Sequence, residues 1–177
     1  KVDADALVKA ARQFRATAIC ISGGGIVAFY QTRIAGHRLS SGLVGRDLLA
    51  EIIPVAHQAG MRVLARIDPS CAPKLLATEH PEWFARDQAG NFCEVSDHYV
   101  TCPNADYYRV RIVEVVREIL TRYDADGIWN NQGKFAAWDT GACYCGTCQS
   151  LFSAESGERI PLENWDDPLW RKYNEWR

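Results

Sequence analysis

No stretch of the chain approaches the run of roughly 18 apolar residues that a membrane-spanning helix requires, and no charged-then-apolar leader opens it. Membrane insertion of these residues is thereby excluded. The first residue is Lys1 rather than Met, so the start itself is not shown and a cleaved leader is compatible with the sequence. An excess of positive charge is also missing: Lys and Arg number 20 against 22 Asp and Glu, a formal net charge of −2, which lacks the basic footprint of a nucleic-acid binder.

What is present describes an ordinary soluble globular unit, 177 residues with 47% hydrophobic and 24% charged side chains. Six Trp, seven Tyr and six Phe supply rings for a core and for stacking on flat apolar faces of ligands. Seven Cys is an odd number in a chain too long to need a disulfide scaffold, and three crowd into Cys143, Cys145 and Cys148. This usage favours thiols, a metal and a reducing, cytoplasmic setting over secretion.

Along the chain, Leu7, Ala10, Ala11 and Phe14 predict an amphipathic helix over 4–14, led by Asp3 as its cap. Residues 16–22 (ATAICIS) read as a buried strand that opens at Gly23-Gly24-Gly25 into a long irregular segment, 26–44, of the kind that often carries function. A second helix begins near Arg46, with Pro54 expected to kink it and Gly60 to end it. Residues 61–68 (MRVLARID) predict another strand, on which Arg66 and Asp68, two apart, project from one face near the C-terminal end. After a second excursion, 69–100, comes a helix over 107–123 with Val113, Val116 and Leu120 on one side, and then a third strand over 126–131 (DGIWNN). Shorter helices are expected at 147–154 and 166–177.

Strands alternating with helices predict parallel pairing and an α/β fold. A complete (β/α)₈ barrel needs about 250 residues, and three strands with their helices use most of this chain, so a barrel would be present only in part.

The sharpest chemical signal is Cys143-Tyr-Cys145-Gly-Thr-Cys148. Three soft donors in six residues can wrap one tetrahedral ion where Gly146 lets the chain turn, and Cys102, just ahead of the third helix, is the candidate fourth ligand. Free or oxidised thiols are the competing reading. Asn130, Asn131 and Gln132 close the third strand at the end where α/β folds place ligands, as hydrogen-bonding groups or as a polar strand end satisfying nearby backbone. Asp68, Glu94, Asp97 and His98 are the titratable residues at other strand or loop ends, whereas His57 and His80 read as structural.

Taken together, GGGIVAFYQT (23–32), GRDLLAEIIPVAHQAGMRVLARID (45–68), HPEWFARDQAG (80–90), TCPNADYY (101–108), DADGIWNN (124–131) and CYCGTCQSLF (143–152) resemble the hypothetical glycosyl hydrolase 6 family. The six motifs occur in order over nearly the whole chain. A more distant similarity, through CPN (102–104), the Tyr-rich helix, the amide-ended strand and CxCxxC (143–148), is to the zinc-containing beta-galactosidases of glycoside hydrolase family 42. That similarity implies a structural zinc on Cys102, Cys143, Cys145 and Cys148. Both resemblances imply a (β/α)₈ TIM barrel, of which the visible strands would be two, three and four. The galactosidases end strand four in Asn-Glu, the Glu being the acid/base, where this chain has Asn131-Gln132. A glutamine cannot exchange a proton near neutral pH, so the two-carboxylate mechanism is incomplete at that position. The basic residue that the galactosidases place four before the CPN cysteine, in contact with sugar, is matched by His98.

The expectation is therefore a partial TIM barrel, residues 1–177 forming part of one catalytic-type domain with a Cys-rich metal loop at 141–149. It would act on carbohydrate as a glycosidase, with Asp68 catalytic and Arg66, His98, Asn131 and Gln132 holding hydroxyls beside Tyr30 or Trp129. A degenerate barrel that binds sugar without cleaving it is the alternative. Nucleic acid and membrane are not expected as partners, and a homo-oligomer is left open.

Overall fold

The computed structural model describes residues 2–131 and 142–177. Its elements run α1 (Ala4–Gln13), β1 (Ala18–Gly25), α2 (Leu48–Gln58), β2 (Arg62–Asp68), β3 (Cys71–Pro73), α3 (Leu76–Glu79), β4 (Glu94–Val95), β5 (His98–Val100), α4 (Ile112–Arg122), β6 (Gly127–Asn130), α5 (Gly146–Ser156) and α6 (Pro168–Trp176). They sort into two compact units, Lys1–Pro69 with Ile112–Asn131, and Ser70–Arg111 with Gln132–Arg177.

The first unit is a parallel three-stranded sheet in the order β1-β2-β6. β2 alternates cleanly: Val63, Ala65 and Ile67 are buried, while Leu64, Arg66 and Asp68 are half-buried on the opposite face. Period-two alternation assigns the first set to the helix-covered side, where Leu49, Ile52, Ile53 and Ala56 of α2 join them in one core. Each aliphatic side chain withdrawn from water there contributes roughly 1.5–3 kcal/mol. The helix starts where Asp47 accepts a hydrogen bond from the Ala50 amide (3.0 Å) and stops at Gly60, whose φ of +75° most side chains avoid. It is helical on both sides of Pro54, which stands on the exposed side.

Four expectations change at the level of faces and boundaries. The glycine triplet lies inside β1 rather than beyond it, because a register shift between Ser22 and Gly24 lets the strand continue against β2. On α4 the buried residues are Val115 and Ile119, whereas of the stripe expected to face the core Val116 packs partly buried against it and Val113 and Leu120 are 41% and 46% exposed. On α1 the expected Leu7 and Ala11 pack partly buried beside the buried Val8, whereas Ala10 is exposed and Phe14, 85% exposed, caps the helix end instead of packing. The helix expected from Tyr107 opens with a π-helical stretch, Tyr107–Arg111, before α4 proper.

The second unit holds a small antiparallel sheet in the order β3-β5-β4 and a separate core. That core is built on Phe152 of α5, Trp170 and Tyr173 of α6, and the four cysteines Cys102, Cys143, Cys145 and Cys148, all buried. No helix among the described residues is long and apolar enough to cross a membrane.

Candidate functional sites

In the first unit the site forms on the face of the sheet turned away from the helices. Register places Ser22, Arg66 and Trp129 in one row across β1, β2 and β6, and Gly25 beside Asp68 in the next. The Asn131 amide N–H bonds the Ile67 carbonyl at 2.7 Å, which extends the ladder past β6 and turns the Asn131 side chain toward Asp68. Asn131 Nδ2 then donates to Asp68 Oδ2 at 2.7 Å, and Arg66 Nη2 approaches the same oxygen at 3.4 Å. The Asp68 side chain is 19% exposed and that of Arg66 41%. Both border a pocket of about 180 Å³ that is also lined by Ser22, Gly24, Ile26, Val27 and Phe29. One wall is apolar and the floor carries a carboxylate and a guanidinium, an arrangement that can accept and donate hydrogen bonds to one edge of a small ligand while covering an apolar face.

Trp129, 55% exposed, stands beside Arg66 in the register of β2 and β6. Tyr30 is instead fully buried, its hydroxyl donating to Glu118 Oε2 at 2.9 Å and its ring edge-on to Tyr123. It therefore supports the loop after β1 from within and cannot border a binding groove, which corrects the expectation. His98 belongs to the second unit, on β5, with Nδ1 2.6 Å from Asp97 Oδ1. Gln132 lies outside the described residues. Glu94 pairs with Lys74 at 2.7 Å; His57 is bound to Asp126 at 2.9 Å, and His80 stacks on Trp83 with ring centroids 3.7 Å apart.

Glu118 is the residue that sequence reasoning missed. Its carboxylate accepts from the Tyr30 hydroxyl, the Thr32 hydroxyl (2.7 Å), the Arg33 amide (2.7 Å) and Arg122 Nη1 (2.8 Å). Burial pushes the group up, but these donors outweigh it and hold the carboxyl below its ordinary range. Nothing in the sequence marks it, because its loop donors lie 85–88 residues away along the chain.

In the second unit the four cysteines converge from two places in the chain. Cys102 follows β5, and the other three sit at the start of α5, which Cys145 caps. Their sulfurs all lie within 4.8 Å of one another, with Cys102 Sγ 3.4 Å from that of Cys148 and 3.6 Å from that of Cys145. Sulfurs at about 2.3 Å from a tetrahedral ion stand about 3.8 Å apart, so the cluster fits a closed four-thiolate site. Mutual hydrogen bonding pushes the Cys102 and Cys148 thiols up and those of Cys143 and Cys145 down. A divalent cation would let all four ionise together. Asn104 Nδ2 lies 3.5 Å from Cys148 Sγ, and Tyr173 of α6 bonds both the amide (3.1 Å) and the carbonyl (3.3 Å) of Cys143. These contacts brace the loop from outside, as second neighbours of metal ligands do. A buried four-cysteine cluster that could hold a metal is thus a feature of this chain. The expected loop at 141–149 begins at Gly141, outside the described residues.

Parallel strands that carry polar groups on one face at their C-terminal ends, with helices packed on the other, define a segment of a (β/α)₈ barrel. The alpha-L-fucosidase isoenzyme 2 of Paenibacillus thiaminolyticus superposes on 98% of this chain with a TM-score of 0.68 at 23% identity, the match covering 26% of that protein. A beta-galactosidase from the psychrophilic Marinomonas ef1 matches 87% of the chain with a TM-score of 0.62 at 17% identity, over 23% of its own length. In sequence, the Beta-galactosidase BgaH of Haloferax lucentense is 30% identical over 131 residues, 69% of this chain. The chain spans only a fifth of that relative's length. Residues 3–132 match the description of the Hypothetical glycosyl hydrolase 6 family, and the chain belongs to that family.

Proposed function

We propose that these residues are barrel strands two to four of a glycoside hydrolase, part of one catalytic domain acting on an unidentified carbohydrate. The observation that carries the reading is the Asp68 carboxylate, held at the C-terminal end of β2 by Asn131 and Arg66 beside a pocket of about 180 Å³. A sugar ring presents hydroxyls along its edge and a weakly polar face. Asp68 and Arg66 suit the first, and Ile26, Val27, Phe29 or the exposed Trp129 suit the second. Asp68 serves as one carboxylate of the acid/base pair, with its partner on a later strand. Asn131 positions Asp68, while Arg66, Gln132 and His98 bind hydroxyls. Cys102, Cys143, Cys145 and Cys148 hold a structural zinc that fixes the second unit and takes no part in bond cleavage.

The amide at Gln132 favours a second reading, a barrel that binds sugar without hydrolysis, since the familiar acid/base is missing at that position. The deciding test is Asp68→Asn in the full-length protein, assayed on a panel of 4-nitrophenyl glycosides. Loss of a catalytic carboxylate lowers kcat by at least about 10²-fold. Turnover within a few-fold of the parent would make Asp68 a binding residue and refute its assignment. A parent protein that binds monosaccharides and cleaves none would establish the second reading.

A further inference from the structure

The segment after β1 builds one wall of the Asp68 pocket, through Ile26, Val27 and Phe29. Two backbone hydrogen bonds fix Phe29, its amide to the Gly23 carbonyl at 2.9 Å and its carbonyl to the Leu48 amide at 3.0 Å. The four residues that follow have no regular structure, yet three of them are tied to a single side chain on α4. Tyr30 Oη, Thr32 Oγ1 and the Arg33 amide all donate to Glu118, whose side chain is only 10% exposed. The fourth, Gln31, is gripped from the same helix: its carbonyl accepts from Arg122 Nη1 at 2.6 Å, and Arg122 also donates to Glu118. A carboxylate withdrawn from water is unfavourable unless its acceptor sites are filled. Here the loop fills them, so the charge is tolerated only while 30–33 keep this conformation.

We propose that Glu118 is a positioning residue for the sugar pocket: through Tyr30, Thr32 and Arg33 it locks the loop after β1 so that Phe29 and its neighbours stand as a preformed wall facing Asp68. The inference rests on the reading of that pocket as a sugar site. Wall residues meet a bound ring rather than the bond being broken, so loosening them weakens binding more than it slows chemistry. The signature of Glu118 is thus a split between KM and kcat.

The test uses the full-length protein and Glu118→Gln, which keeps the size of the side chain but removes its charge and replaces one accepting oxygen by an N–H₂ that cannot accept from the loop. Because a buried substitution can prevent folding, Tyr30→Phe combined with Thr32→Val removes two donors from the loop side as an independent variant. Steady-state kinetics on whichever 4-nitrophenyl glycoside the parent cleaves should show KM raised about tenfold, the scale of one hydrogen bond to a charged group, with kcat within about threefold. Amide hydrogen exchange at 29–33 should accelerate by a similar factor in both variants while that of α2 beyond its first turn is unchanged. Unaltered KM in both, or kcat falling with KM fixed, would overturn the assignment. A parent that cleaves and binds no glycoside would instead remove the sugar reading and the positioning role with it. Exchange would then still report whether Glu118 holds the loop.

Discussion

Gly25→Ala is the substitution that most directly tests the close approach of β1 to β2. Gly25 pairs with Asp68 across the sheet and has a φ of +106°. A Cβ added there would lie 2.0 Å from the Asp68 carbonyl oxygen and 2.5 Å from its carbonyl carbon, contacts with backbone that no rotamer change can relieve. The positive φ alone costs about 1–2 kcal/mol for a residue with a Cβ. Forcing the strands apart adds about 1–3 kcal/mol, as overpacking does. Gly45→Ala is the control, since Gly45 has a φ of +80° with nothing within 4 Å, and it should show the backbone penalty alone. In urea unfolding of the full-length protein Gly25→Ala should therefore lose about 2–5 kcal/mol against about 1–2 for Gly45→Ala. The same clash pushes Asp68 out of line with Asn131, so glycoside turnover should fall in the first variant and persist in the second. Equal destabilisation of the two variants, or full turnover by Gly25→Ala, would refute the argument that this contact sets the Asp68 carboxylate in place.

Metal analysis of the full-length protein should return one zinc per chain, and Cys102→Ser should lower both the metal content and the unfolding temperature; a protein free of zinc with unchanged stability would discount the site. The stabilisation due to Glu118 should depend on pH: its carboxyl is held below the ordinary range, facing Tyr30, Thr32, Arg33 and Arg122, so its contribution is present near neutrality and disappears as pH falls through the folded-state value. The difference in unfolding free energy between the parent and Glu118→Gln should accordingly shrink toward acid, and a constant difference would argue against an ionised anchor. Residues 1–177 expressed alone should aggregate, because β1 and β6 each leave an unpaired edge in the described sheet; a monomer with one cooperative transition would contradict this.

The parts of the fold that rest on short-range periodicity were legible. MRVLARID alternates because a strand has one face against helices and one against solvent or ligand, and that alternation alone placed Arg66 and Asp68 together. The cysteines were legible through soft-donor chemistry and spacing. The faces of α1 and α4 were legible only in part: Leu7, Ala11 and Val116 pack against the core as their spacing implied, but Val113 and Leu120 are as apolar as Val115 and Ile119 and only tertiary contact chooses between them. Tyr30 was misplaced for a related reason: an aromatic residue in a loop looks like a ligand platform until its hydroxyl is seen to be held by a carboxylate 88 residues away. Glu118 was invisible because its partners come from a segment with no pattern of its own.

A cation bound by Cys102 and by the 143–148 cluster would join points 46 residues apart in the chain at the Cys102–Cys148 pair. The stretch so enclosed contains α4 and β6, which belong to the other unit. Closing a loop of that size destabilises the unfolded chain by roughly 4 kcal/mol on the scale used for a covalent crosslink, so the ion would act as a reversible staple on the whole enclosed stretch. The stability of the enclosed stretch, β6 and Asn131 included, would then answer to metal supply.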